Sequence, residues 1–108
     1  MKKPLFLAST LFTVVFSFHA FAMPEGEASK GELKTPSCRF CHGVDGIAPR
    51  PAYPNLKGQH AQYLYDSMQA YKNGQRTGGM SSMMKDQLRN LTDQDIADIA
   101  KYYEQLGK

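Results

Sequence analysis

The sequence contains no tryptophan, only two cysteines and no run of like charges among its 108 residues. Two cysteines are too few for the several disulfide bridges that hold small secreted scaffolds together. Without a basic or acidic run the chain lacks the usual arm for nucleic acid, and we expect no nucleic-acid partner. At 42% apolar residues it is too hydrophobic for a disordered tail, and its length allows one domain.

Strand patterns are also missing, because no stretch alternates apolar and polar residues as a half-buried strand does. Apolar residues at helical spacing instead predict an all-α fold. We predict helices over residues 25–34, 60–72, 83–89 and 92–106, with Thr92 and Asp95 forming the N-terminal cap of the last one. Pro36 is expected to end or distort the first helix. Residues 43–58, which contain three prolines, are predicted to form a loop.

The N-terminal 22 residues have the pattern of a targeting segment. Lys2 and Lys3 precede an apolar run over residues 5–18, and Ala20-Phe21-Ala22 offers small residues for signal peptidase. The run is shorter than the roughly 20 residues that span a bilayer. We therefore interpret residues 1–22 as a cleaved secretory signal peptide, with an uncleaved N-terminal anchor as the alternative. Residues 23–108 would then be the mature domain, located in the periplasm and without a membrane span.

The mature domain is so small that it needs a stabilising cross-link or bound group in addition to its own hydrophobic core. A disulfide, a metal or a large apolar cofactor would serve. The motif Cys38-Arg39-Phe40-Cys41-His42 points to the last of these. C-x-x-C-H is the attachment signature of c-type haem: one helical turn brings both thiols to the two vinyl groups, and the adjacent histidine ligates the iron.

Other interpretations of the two cysteines are weaker. A thiol–disulfide redox centre normally follows a strand in a β-α-β unit, and none is predicted here. A structural zinc site needs four ligands. Besides the two cysteines, His42 and His60 are the only histidines of the mature chain that could serve as ligands. A bare structural disulfide is the third alternative.

The second axial ligand must come from elsewhere in the chain. The candidates are Met68, Met80, Met83, Met84 and His60. Met80 follows two glycines that let the backbone approach a flat ligand, whereas Met68 lies on the apolar stripe of a helix. We favour Met80, with Met83 as its main competitor. A thioether stabilises Fe(II), so ligation by His42 and Met80 raises the reduction potential.

Further motifs carry a resemblance over nearly all of the mature chain. They are Cys38-x-x-Cys41-His42-Gly43, Asp45-Gly46, Pro54-Asn55-Leu56-Lys57-Gly58-Gln59, Tyr63-Leu64, Tyr71-Lys72-x-Gly74-x-Arg76, Met80-Ser81-Ser82-Met83 and residues 91–103. Together they resemble the small class I c-type cytochromes, most of all the single-haem unit that is duplicated in bacterial di-haem cytochromes c.

The resemblance implies several helices wrapped around one covalently bound haem c, with the first and last helices crossing at Gly31. It also implies that the first methionine of Met80-x-x-Met83 is the axial ligand. In such proteins a loop proline carbonyl accepts a hydrogen bond from the proximal imidazole. By spacing, Pro51 would take this role, with Pro49 as the second choice.

The resemblance further implies a set of side chains around the haem. Five would pack on the macrocycle: Ile47, Leu56, Leu64, Met68 and Leu88. Tyr71 and Arg76 are candidates to bind the haem propionates. An ordinary packed tyrosine and a solvated arginine remain the alternative for these two.

These observations predict a periplasmic single-electron carrier rather than an enzyme. Residues 50–89 contain six basic residues against two acidic ones, so we expect its redox partners to present an acidic docking face. One alternative is the haem subunit of a dehydrogenase or oxidase complex. Two others are a ligand-binding haem sensor, which needs an open iron position, and a non-haem redox or metal module.

Overall fold

The fold was analysed in a computed structural model, which describes residues 1–17 and 22–108. It contains five α-helices: α1 (Ala28–Leu33), α2 (Pro36–His42), α3 (Ala61–Lys72), α4 (Ser81–Leu88) and α5 (Asp93–Gln105). No strand occurs in these two stretches, and the predicted all-α class is confirmed.

Residues 1–17 are exposed and form no helix. No helix within the described stretches is both long and apolar enough to cross a membrane. His19 and the first two residues of the expected cleavage site, Ala20 and Phe21, lie outside the described residues. Met23 packs against the core, and its backbone nitrogen donates a hydrogen bond to Gln62 Oε1 at 3.3 Å.

α1 and α5 cross in direct backbone contact at Gly31. A Cβ atom on this buried glycine would overlap the Asp98 carbonyl and would lie 2.9 Å from the Ile99 nitrogen. The crossing therefore requires glycine, as the resemblance implied. It holds the N-terminal segment against the last helix.

The buried carboxylate of Asp98 stabilises the same crossing of α1 and α5. Asp98 accepts hydrogen bonds from Glu27 N at 2.8 Å, Lys34 Nζ at 2.7 Å and Gln94 Nε2 at 2.9 Å. Burial alone would raise the pKa of Asp98, but these donors together hold it below its ordinary value. Lys34 also contacts Asp95 at 2.7 Å, and these two carboxylates raise the pKa of Lys34.

Pro36 does not end the first helix, because it begins a second one. α1 stops at Leu33, and Pro36 opens α2 in the first turn, where its missing N–H is not needed. Buried Thr35 joins the two helices: its hydroxyl donates to Glu32 O at 2.8 Å and accepts from Arg39 Nε at 3.0 Å. The Cys-x-x-Cys-His motif thus lies on its own short helix.

The remaining helices agree closely with the sequence pattern. α5 begins with the expected capping box between Thr92 and Asp95, and its apolar stripe is buried. α3 packs on α5 through a core cluster of Ala61, Leu64, Ile99, Ala100 and Tyr103. α4 begins at residue 81, two residues before its predicted start, and packs against α3.

Candidate cofactor-binding site

A cavity of about 900 Å³ lies between α2, α3, α4, α5 and the loops that join them. Its volume is in the range of pockets that bury a cofactor, and its walls are mainly apolar. The side chains therefore do not fill the interior of the domain at this place, and they leave space for a cofactor.

Cys38 and Cys41 lie one turn apart on α2, and both line the cavity. The two thiols are not joined to each other. Burial raises the pKa of the Cys38 thiol, so it stays protonated at neutral pH. One turn of helix thus presents two thiols along one edge of the cavity.

His42 ends α2 and is buried at the cavity wall. Its Nδ1 lies 2.8 Å from the carbonyl oxygen of Pro54. Because a carbonyl can only accept, Nδ1 is the donor in this hydrogen bond, and in the neutral imidazole this leaves the lone pair of Nε2 for a metal. Tyr53 packs edge-on to the imidazole, with ring centroids 6.4 Å apart.

The carbonyl partner of His42 was wrongly predicted as Pro51. Pro51 is exposed in a turn, closed by Tyr53 N donating to Arg50 O at 3.2 Å. Leu56 N donates to Gly46 O at 2.8 Å, and this contact folds the loop back on itself. The loop consequently brings Pro54, rather than Pro51, to the imidazole.

Four methionines line the cavity: Met68, Met80, Met83 and Met84. Met80 and Met83 are 44% and 52% exposed although they lie in a concave apolar wall. His60, the other candidate ligand, is exposed at the start of α3 and lies outside the described cavity wall. Cavity position thus favours a thioether as the second ligand.

Most of the residues expected around the haem line this cavity. Leu56, Leu64, Met68, Tyr71, Arg76 and Leu88 all contribute to the wall. The Arg76 guanidinium lies 4.3 Å from the centroid of the Tyr71 ring, in a cation–π contact. Ile47 is 46% exposed and does not belong to the described wall, contrary to expectation.

One feature of the cavity wall has no signal in the sequence. Tyr103 lines the cavity, and its buried hydroxyl has no hydrogen-bond partner among the described residues. Helical periodicity assigned Tyr103 to the buried stripe of α5, but periodicity says nothing about the hydroxyl.

This donor set fits a covalently bound haem. Two thiols on one turn, an imidazole with a free Nε2 and half-exposed thioethers all face one apolar cavity. Cys38 and Cys41 would hold the porphyrin, and His42 would ligate its iron. No second cysteine pair exists in the chain to offer another attachment point.

The family model for cytochrome c matches residues 30–107. The chain belongs to the cytochrome c family. Among its relatives, cytochrome c-554(548) of Halomonas halodenitrificans is 51% identical over 78 residues, which cover 72% of this chain and 94% of that protein. Cytochrome c4 of Pseudomonas aeruginosa is 42% identical over 97 residues, or 90% of this chain and 46% of that protein.

Two further comparisons concern structure and partners. The crystal structure of reduced cytochrome c4 from Pseudomonas stutzeri superposes with a TM-score of 0.62 at 38% identity, over 73% of this chain and 45% of that one. The cytochrome subunit of sulfide dehydrogenase from Chlorobaculum tepidum is 34% identical over 80 residues, or 74% of this chain and 69% of that protein. This chain thus spans about half the length of the cytochromes c4.

Family membership settles the cofactor and the general activity. The domain is a class I cytochrome that carries one covalently bound haem c, and it transfers electrons rather than acting as an enzyme.

Proposed function

We propose that this chain is a periplasmic single-electron carrier whose haem is attached at Cys38 and Cys41 and ligated by His42 and Met80. The observation that carries the proposal is the His42–Pro54 hydrogen bond of 2.8 Å beside two cavity-lining thiols. It leaves Nε2 as the nitrogen available to iron. The bound haem supplies a one-electron Fe(III)/Fe(II) couple.

The protein residues set the properties of that couple. The hydrogen bond to the Pro54 carbonyl fixes the imidazole tautomer and the orientation of the ring. A Met80 thioether bound to the iron would favour Fe(II) and would thereby raise the reduction potential relative to two histidines. His42 and Met80 together would leave no coordination position for a substrate.

The backbone around Met80 supports its choice over Met83. Gly78 and Gly79 have φ of 88° and 50°, and an added Cβ at either would meet no atom within 4 Å. Met80 is the N-cap of α4 and follows this open segment, whereas Met83 and Met84 lie within the helix. The thioether of Met80 can therefore move toward a cofactor without unfolding a helical turn.

Replacement of Met80 by alanine tests the ligand directly. Oxidised wild-type protein should show the weak near-infrared band of a methionine–Fe(III) bond, and Met80→Ala should abolish it. The Met80→Ala protein should also bind CO readily when reduced, because one axial position is opened. Met83→Ala and Met84→Ala are matched controls that should keep the band. Survival of the band in Met80→Ala, or its loss in Met83→Ala, would move the ligand elsewhere.

The periplasmic location rests on the N-terminal segment. Residues 1–17 are exposed, and Met23, next to the expected cleavage point, packs against the core. Cleavage after residue 22 would keep Met23 and all five helices. Because haem c is attached after export, an exported chain is compatible with this cofactor.

The charge distribution supports an acidic docking face on the redox partner. None of the described ion pairs involves the six basic residues of segment 50–89: Arg50, Lys57, Lys72, Arg76, Lys85 and Arg89. Arg76 lies in the cavity wall. The unpaired cations thus belong to the part of the chain that surrounds the cofactor.

A second candidate is a haem subunit with a fixed catalytic partner. Phe40, within the motif, and Val44, two residues after it, are 88% and 77% exposed, which favours contact with another protein. Tyr53 and Tyr102, by contrast, are half-buried against His42 and Arg39. Purification from the native source distinguishes the two candidates, because a subunit co-purifies with its catalytic partner and a free carrier does not.

A further inference from the structure

Tyr103 is one of the most deeply buried side chains of the molecule, with 1% of its surface exposed. It belongs to the core cluster on which Cys38 packs, and its ring meets that of Tyr102 edge-on at 5.1 Å. Tyr103 and Cys38 both line the cavity. The tyrosine therefore stands at the cavity edge where the first thiol would bind the porphyrin.

The hydroxyl of Tyr103 is the feature that the packing does not explain. It is the one buried side-chain oxygen or nitrogen of the described residues that has no hydrogen-bond partner. Buried polar groups are almost always paired, because an unpaired one loses its hydrogen bonds to water without replacement. A phenylalanine would fill the same space without that cost.

The neighbouring tyrosine provides the contrast. The Tyr102 hydroxyl accepts a hydrogen bond from Arg39 at 3.2 Å, and Tyr102 is half-buried. The partner of Tyr102 is thus supplied by the protein, whereas that of Tyr103 must come from what fills the cavity.

The chemical state of Tyr103 restricts its role to that of a donor. Burial raises the pKa of the phenol well above its ordinary value, so the proton stays on the oxygen at every pH at which the protein works. Haem c brings two kinds of acceptor into this cavity, its carboxylate side chains and the thioether sulfurs.

We propose that Tyr103 donates a hydrogen bond to an acceptor on the bound haem beside Cys38, and that this bond stabilises the reduced cofactor. An O–H dipole with its hydrogen toward the haem favours the state with the additional electron. Hydrogen bonding around a haem is one of the protein's means of adjusting its potential. Tyr103 is therefore a positioning and tuning residue for electron transfer.

The inference rests on haem attachment at Cys38, which is part of the proposed function. The two fail in different ways. Protein without covalently bound haem contradicts the proposed function, whereas protein with a normal c-type spectrum and no effect of Tyr103 contradicts this inference alone.

The test compares Tyr103→Phe with the matched control Tyr102→Phe in the haem-loaded protein. Equilibrium redox titration should give a lower midpoint potential for Tyr103→Phe and an unchanged one for Tyr102→Phe. Thermal unfolding should show a greater loss of stability in the reduced than in the oxidised Tyr103→Phe protein, since the two measurements form one thermodynamic cycle. A merely structural role would destabilise both states equally.

The acceptor is identified by repeating the titration at lower pH. If a carboxylate of the haem accepts the bond, the potential difference between Tyr103→Phe and wild type disappears once that group is protonated. If the Cys38 thioether sulfur accepts it, the difference persists. Either result supports the hydrogen bond and assigns its acceptor.

A measurement on the unmutated protein covers the case in which Tyr103→Phe does not fold. Redox difference infrared spectra with isotopically labelled tyrosine should show a tyrosine C–O band that shifts on reduction. The inference is overturned by the absence of any tyrosine band in those spectra. It is equally overturned by a Tyr103→Phe potential equal to or above that of wild type.

Discussion

At the scale of single residues, Glu104 illustrates how one carboxylate joins two helices. It accepts a hydrogen bond from Ala61 N at 2.7 Å at the start of α3 and pairs with Lys101 at 3.0 Å. These donors lower the pKa of Glu104 to about 2 from an ordinary 4.5. A group with a depressed folded-state pKa stabilises the fold above its unfolded pKa, and the contribution disappears as the pH falls toward the folded value.

We therefore predict that the free energy of unfolding falls as the pH is lowered from about 4.5 to about 2, and that part of this fall depends on Glu104. Glu104→Gln keeps an acceptor for Ala61 but loses the charge, so it should cost about 1 kcal/mol at pH 7 and little near pH 2. Urea unfolding across this pH range measures the difference. The control Glu32→Gln, at an exposed pair 3.9 Å long, should track wild type throughout. A constant gap between Glu104→Gln and wild type would contradict the account.

Residue identity alone located part of the site. The Cys38–His42 motif and Met80 carry their chemistry in the sequence, and the structure brings them to one cavity. The carbonyl partner of His42 did not follow in the same way, because it depends on how a loop with three prolines folds. That the Tyr103 hydroxyl lacks a hydrogen-bond partner among the described residues likewise becomes visible only when the surrounding side chains are placed.

At the scale of helices, the crossing of α1 and α5 sets how close the backbones come. Gly31→Ala would place a methyl group on the Asp98 carbonyl, and a backbone cannot move aside as a flexible side chain can. We predict a loss of about 3 kcal/mol in the free energy of unfolding, measured in urea on the haem-loaded protein.

A variant at a second glycine, Gly74, serves as the control, because alanine there would strain the backbone without clashing with a neighbouring backbone. Gly74 has φ of 73° after α3, and an added Cβ would meet only the flexible Lys85 Nζ at 3.3 Å. Gly74→Ala should therefore cost about 1 kcal/mol. Equal losses for the two variants would contradict the tight crossing of α1 and α5.

The helices themselves were predictable where periodicity and caps agree. α3 and α5 lie within one or two residues of their predicted bounds, because both have an apolar stripe and a clear terminal signal. α2 was not predicted as a separate helix. Proline both ends helices and starts them, and only the position of Thr35 between α1 and α2 shows which applies here.

At the scale of the whole molecule, charge is divided between two regions. The described ion pairs lie on α1, α2 and α5 and next to them, and none of them includes a basic residue of segment 50–89, the segment that provides most of the described cavity wall. Attraction between exposed charges is screened by salt over about 10 Å at 0.1 M. Electron transfer that depends on these cations must respond to ionic strength.

We predict that the second-order rate of electron transfer to an acidic redox partner falls about tenfold or more between low and high ionic strength. Lys85→Glu should lower the low-salt rate and weaken the salt dependence. Lys85 lies on α4, which contributes several residues to the described cavity wall, whereas Lys30 lies on α1, which contributes none. Lys30→Glu makes the same change of charge and should have a smaller effect. Stopped-flow kinetics over a salt series gives both quantities. A rate that does not respond to salt would contradict the docking proposal.

The intact mass of the purified protein tests the central claim most directly. Protein expressed with its signal and a working cytochrome c maturation system should have the mass of residues 23–108 plus one haem, and that mass should survive acidic extraction of non-covalent haem. A folded, helical protein with the mass of the bare polypeptide would contradict the account.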